Sequence, residues 1–198
     1  MTSPLQALLA ELAQFGEEND RSAIARADRM LNITPDTGAF LSILVRSTQA
    51  RRILEIGTSN GYSTLWLAEA ALATGGHVWT VEHSDAKADL AARNFLRAGL
   101  GPHITQVRQD AGVMLAGMGE ASFDLIFLDS ERTEYPGWWP DLNRALRPGG
   151  LLVVDNATSH SEELVPFITA VQADPAYTTC LVPVGKGEFL ATRSRLPD

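Results

Sequence analysis

The chain has 198 residues, a length that suits one domain with a real core, and its composition is 45% hydrophobic and 20% charged, ordinary for a globular protein. A net charge of −8 argues against a nucleic-acid backbone as main partner, because phosphate binding needs a positive footprint. The single cysteine, Cys180, rules out an intrachain disulfide, and its apolar neighbours suggest a small buried thiol in a strand. No basic lead-in precedes the first apolar stretch and no run is long enough to cross a membrane, so a cytoplasmic protein without membrane contact is expected.

In chain order, Leu5, Leu8, Leu9, Leu12 and Phe15 recur at helical spacing, with Gly16 as the expected stop. A second short helix is predicted over 21–30, entered through Asn19 and Asp20. Thr34 then caps a third helix with Pro35 in its first turn, directing Phe40, Leu41, Leu44 and Val45 inward. From Arg52 the texture changes. Short apolar runs at 53–56, 77–81, 104–107, 123–128 and 151–154 read as strands. Helical patterns at 63–73, 86–98, 113–118 and 138–146 separate them. Such alternation with short connections means parallel strands joined by crossover helices. The turn Arg147-Pro148-Gly149-Gly150 sets up the fifth strand. A helix near 162–171 follows, then two runs at 177–182 and 189–192 around Gly185-Lys186-Gly187, which read as an antiparallel edge hairpin. No linker divides the chain. The expectation is a single α/β domain over 1–198, with N-terminal helices over 1–50 and a Rossmann-like core over 51–198. Its sheet would be mostly parallel and seven-stranded, with helices on both faces.

The stretch from Ile53 to Thr64 carries the chemistry, as a strand runs into a glycine-containing loop that opens a helix. Its glycines, Gly57 and Gly61, lack the G-x-G-x-x-G spacing of a pyrophosphate site, which weighs against a nicotinamide-dependent oxidoreductase. The second strand ends in Glu82, about 25 residues after Gly57, where such folds bind ribose hydroxyls. The third ends in Gln109-Asp110-Ala111, where Asp110 has two readings: an acceptor for an adenine amino group, or the N-cap of the next helix.

With these residues in view, the chain resembles the cation-dependent class I S-adenosylmethionine O-methyltransferases, the catechol and caffeoyl-CoA group with its bacterial relatives. The resemblance rests on Glu55-Ile-Gly-Thr-Ser-Asn-Gly-Tyr-Ser63, on Phe123-Asp-Leu-Ile-Phe-Leu-Asp129 followed by Tyr135, and on Arg147-Pro-Gly-Gly-Leu-Leu-Val-Val-Asp155-Asn156. It implies that Asn32 and Ile33 lie over the methionine part of S-adenosylmethionine and that Glu55, Gly57, Ser59 and Ser63 form its first loop. It places Glu82 on the ribose, His83 and Asp110-Ala111 beside the adenine, and Asp129 between cofactor and acceptor. It also implies a divalent cation (Mg²⁺, Mn²⁺ or Ca²⁺) at Asp129, Asp155 and Asn156, a small-molecule acceptor of catechol or vicinal-diol type, and a homodimer. Two carboxylates and an amide oxygen are a hard oxygen set, which agrees with such an ion; caps and turns are the alternative use of the same residues.

One position departs from the family. Its general base is a lysine three residues after the first metal aspartate, and here that residue is Arg132, which does not deprotonate. Three readings follow: the ion alone acidifies the hydroxyl, His160 is the base, or Arg132 holds an acidic acceptor. Arg132 as a surface partner of Glu131 or Glu134, and His160 as an exposed loop histidine, are the structural alternatives. A metal-independent methyltransferase of a small acidic or nitrogen acceptor, and a non-catalytic S-adenosylmethionine-binding protein, remain the competing functions. The adjacent Trp138 and Trp139 read chiefly as packing residues, and Ala157-Thr158-Ser159 lacks the aromatic that the family often carries there.

Overall fold

A computed structural model describes residues 3–194. Seven strands form one sheet in the order β3-β2-β1-β4-β5-β7-β6. They are β1 (Arg52–Ile56), β2 (His77–Glu82), β3 (Ile104–Arg108), β4 (Phe123–Leu128), β5 (Leu146–Val154), β6 (Tyr177–Val182) and β7 (Glu188–Arg193). The first five pair in parallel, while β7 runs antiparallel to both β5 and β6. The order reverses between β1 and β4, so their C-terminal loops leave in opposite directions and open a crevice.

Among the described residues seven α-helices cover the sheet: α1 (Pro4–Ser22), α2 (Pro35–Thr48), α3 (Tyr62–Leu72), α4 (Asp85–Arg97), α5 (Ala111–Ala116), α6 (Tyr135–Ala145) and α7 (Ser161–Ala173). Alternation along the strands divides the core into two layers. Ile53, Leu125, Phe127, Leu151 and Val153 face the layer built from α1 to α4. Leu54, Ile56, Ile126, Leu128, Leu152 and Val154 face the layer built from α5 to α7. That is the period of two expected when both faces of a sheet are covered. Among the described residues no helix is long and apolar enough to cross a membrane.

The N-terminal region differs from the expectation. Gly16 does not end α1, which continues to Ser22. Gly16 is buried in mid-helix because a Cβ there would lie 2.4 Å from Asn32 Nδ2; the missing side chain lets Asn32 dock and donate to the Leu12 carbonyl at 3.0 Å. The helix over 21–30 does not form either: only a 3-10 turn at Arg26–Asp28 appears, and Ile24 is 98% exposed. Asn19 and Asp20 lie inside α1, and their side chains accept from the Met30 N–H at 3.0 and 2.7 Å, stapling the segment after the helix. Thr34 does cap α2. The turn ahead of the fifth strand is absorbed into β5 as a register irregularity. Cys180 is exposed, because β6 is the sheet's edge.

Candidate active site

The crevice at the β1/β4 reversal is a cleft of about 830 Å³. Gly57 sits at its base with φ near +106°, and its N–H continues the sheet by donating to the Val81 carbonyl at 3.1 Å. A Cβ on Gly57 would lie 2.1 Å from the Asp129 carbonyl oxygen, so only glycine lets the loop after β1 pass the loop after β4. Ser59, two residues on, is held from both sides. Its N–H donates to Glu82 Oε2 at 2.9 Å and its hydroxyl to the Met30 carbonyl at 2.7 Å, which ties the segment after α1 over the cleft.

Asn32, Ile33, Gly57, Ser59, Ser63, Glu82, His83, Asp110, Ala111, Asp129, Arg132, Asn156 and His160 all border this one cleft. Glu55 and Asp155 do not border it. Glu55 is fully buried beneath the glycine loop and accepts hydroxyl hydrogen bonds from Ser63 (2.5 Å), Thr80 (2.6 Å) and Thr64. Burial, opposed by those three bonds, raises its carboxyl to about 7. Glu82 accepts two backbone N–H groups, from Ser59 and Ser84, and keeps further lone pairs for a ligand. Asp110 caps α5 through the Val113 N–H at 2.9 Å, as the N-cap reading expects, and also borders the cleft.

At the other end, Asp129 and Asp155 leave the ends of β4 and β5, and Asn156 Nδ2 bridges their carboxylates at 3.1 and 2.8 Å. Asn156 reaches this position through a left-handed backbone conformation, φ near 67°. Burial and the charges of Asp155 and Glu55 raise the Asp129 carboxyl well above the usual carboxylate range, while Lys186 and Arg132 pull it down. Behind Asp155 lies Glu188, buried and pushed up to about 10 by burial and by Asp155; Thr37 donates to its Oε1 at 3.0 Å. Among the described residues no set of three or more His, Cys, Asp or Glu side chains is gathered as metal ligands. An Asn-completed set of two carboxylates is a smaller donor group than that.

Arg132 is not a surface residue. It is 4% exposed, and its ion pair is with Glu163 of α7, Nε to Oε2 at 2.8 Å, not with Glu131 or Glu134. His160 is the N-cap residue of α7, with Nδ1 2.9 Å from the Ser159 hydroxyl. Partial burial and the charges of Arg132, Arg26 and Lys186 lower its pKa. The two tryptophans divide their work: Trp138 borders the cleft and packs on Tyr135, whereas the partly buried Trp139 packs on Phe167 and Tyr177 at the edge of the core. The turn Gly185-Lys186-Gly187-Glu188 reads chiefly as a hairpin closure, with a border of the cofactor end as its other reading. The turn does join β6 to β7, but Lys186 also borders the cleft, and its carbonyl accepts the Thr158 and Ser159 N–H groups at 3.1 Å. Its flanking glycines were the one signal that the backbone makes a close approach there.

Known proteins resemble this chain in sequence and fold. A protein of Mycobacterium sp. (strain JLS) named "Putative O-methyltransferase" is 31% identical over 96% of this chain and 94% of its own length. A Catechol O-methyltransferase of Niastella koreensis is 37% identical over 64% of this chain and 58% of its own length. Among solved structures, the O-methyltransferase from Bacillus cereus in complex with SAH superposes with a TM-score of 0.79 at 27% identity, covering 95% of this chain and 91% of that one. The O-methyltransferase TomG from Streptomyces achromogenes, solved with SAM, gives 0.78 at 29% identity, covering 94% and 89%. The O-methyltransferase family pattern matches residues 3–194, and the chain is an enzyme that belongs to the O-methyltransferase family.

Proposed function

We propose that this enzyme transfers the methyl group of S-adenosylmethionine to a hydroxyl oxygen of a small catechol-like or vicinal-diol acceptor, assisted by a divalent cation. The observation that carries this reading is the pair of carboxylates, Asp129 and Asp155, joined through Asn156 beside the glycine loop. The donor is supported by the SAH and SAM in the two solved relatives. Glu82 would take the ribose hydroxyls, His83, Asp110 and Ala111 would border the adenine, and Asn32 and Ile33 would cover the methionine part. Gly57, Ser59 and Ser63 would form the loop beneath the donor, with Glu55 supporting Ser63 from below.

The donor set fits a hard cation. Two acidic groups share one site, and burial first, then the neighbouring Asp155 and Glu55 charges, raise the Asp129 carboxyl. Asp129, Asp155 and, with its amide turned over, Asn156 Oδ1 would hold the ion. When bound, such an ion supplies Lewis acidity that lowers an acceptor hydroxyl from a phenolic pKa of about 10 toward neutrality. The chain's own residues do the rest. The cleft walls hold the acceptor oxygen in line with the donor methyl, which is worth several kcal/mol of barrier. His160, which borders the cleft and whose pKa is lowered, would accept the hydroxyl proton, a role Arg132 cannot fill.

Calorimetric titration of SAH-loaded enzyme with Mg²⁺ and Mn²⁺, with Asp155→Ala as the comparison, tests this reading. Saturable binding that the variant loses, with catechol methylation stopped by a chelator, is the expected result. Absent metal binding while SAH still binds, or methylation indifferent to chelation, would overturn the cation-assisted mechanism.

A further inference from the structure

Arg132 carries an unused hydrogen-bonding capacity in a place where that is costly. Its guanidinium makes one hydrogen bond among the described residues, Nε to Glu163 Oε2, and Nη2 is buried without a partner. Buried donors are nearly always satisfied, and one on a permanent cation is the more expensive to leave unpaired. Glu163 stands half-exposed on α7 and engages the Nε side, so the Nη1–Nη2 edge stays free. Arg132 borders the cleft three residues after Asp129, at the acceptor end. Other cations converge there: Lys186 acts with Arg132 on Asp129, and Arg26, Arg132 and Lys186 together bear on His160.

We propose that Arg132 is a specificity residue whose free guanidinium edge takes the carboxylate of a hydroxylated carboxylic acid presenting its hydroxyl at Asp129. This rests on the methyl-transfer reading above and names its substrate class. A planar carboxylate matches the guanidinium edge through two parallel N–H···O bonds and fills the missing partner of Nη2. A neutral catechol would leave Nη2 as it is. A phosphate dianion would bring a second negative charge toward the Asp129 and Asp155 carboxylates, so a carboxylate is the better match. The alternative role, a strut fastening the loop after β4 to α7, uses the Glu163 bond alone and predicts no preference among acceptors.

The test is binding of protocatechuate, a dihydroxybenzoate, against its uncharged amide, measured by calorimetry on the full chain with and without SAH. The acid is expected to bind about 10- to 100-fold more tightly than the amide, the range for a buried charge-assisted pair. Arg132→Gln should collapse that ratio toward one, and Arg132→Lys, with charge but no fork, should restore only part of it. Glu163→Gln removes the negative charge that offsets the guanidinium and should tighten the acid further; it keeps the proposal testable should the Arg132 variants fail to fold. Undetectable binding of the acid, equal affinity for acid and amide, or a ratio that survives Arg132→Gln would overturn it. Failure of SAH to bind the native enzyme would sink the methyl-transfer reading instead, and the acid-to-amide ratio without SAH would still be read.

Discussion

Glu55 is a carboxyl with three hydroxyl donors, enclosed beneath the loop that follows β1. Its proton is held more tightly in the folded protein than in the unfolded chain, because burial raises it from 4.5 to about 7. The sign follows from linkage: this contribution to stability is fully present below about pH 4.5 and is lost as pH rises to about 7. The loss is on the order of 3 kcal/mol at 1.36 kcal/mol per pKa unit. Glu55→Gln removes the titration. Thermal unfolding midpoints of the native enzyme should therefore fall relative to the variant across that window, with a constant gap above pH 8. Parallel profiles would show that Glu55 does not titrate there. Arg132 teaches a second lesson at this scale. Its position in the sequence announced a departure from the family, but its burial and its Glu163 partner come from α7, 31 residues away.

At the scale of elements, the strand, glycine loop and helix from β1 to α3 act as one unit, and Gly57 is where that unit meets β4. The Asp129 N–H donates to the Ile56 carbonyl at 3.0 Å, so the two loops begin diverging only after the strands have paired. A methyl group on Gly57 would strike the backbone of Asp129, and backbone cannot swing aside as a flexible side chain can. Gly57→Ala should cost roughly 2–4 kcal/mol through the forbidden φ and the forced separation, and should weaken SAH binding at least tenfold. Urea unfolding and SAH calorimetry check both effects; an unchanged midpoint with unchanged affinity would mean the loop yields easily. The N-terminal helix was the element least readable in advance. Gly16 is a helix stop by its own chemistry, yet the docked Asn32 amide and the buried face of α1 outweigh a local cost of about 1 kcal/mol.

Across the whole molecule, the site occupies the C-terminal end of the parallel strands, and Asp124 ties the opposite end together. Its carboxylate accepts the Arg51 and Arg52 N–H groups at 2.7 and 2.8 Å and Arg147 Nε at 2.5 Å, joining the starts of β1, β4 and β5. Those three partners outweigh burial and hold its carboxyl below the usual range. Asp124→Ala should lower stability by about 2 kcal/mol while leaving SAH affinity within twofold, because the lost bonds lie a full strand length from the cleft. A large loss of SAH binding at unchanged stability would mean that the two ends of the sheet are coupled.

The sequence by itself determined the alternation of strands and helices, the sheet's glycine-loop opening and the edge hairpin, and it singled out thirteen of the residues that border the cleft. Those features are local: apolar runs of strand length, caps such as Thr34 and Asp110, and a glycine where the chain must turn against a neighbour. Tertiary structure decided what depends on residues far apart in the chain. It buried Glu55 and Asp155 behind the cleft wall, brought Lys186 from the hairpin to the cleft, and carried α1 through Gly16. It also left one edge of Arg132 without a partner. Periodicity reports which way a side chain faces along its own element; it holds no information about which distant charge or carbonyl meets that side chain once the layers pack.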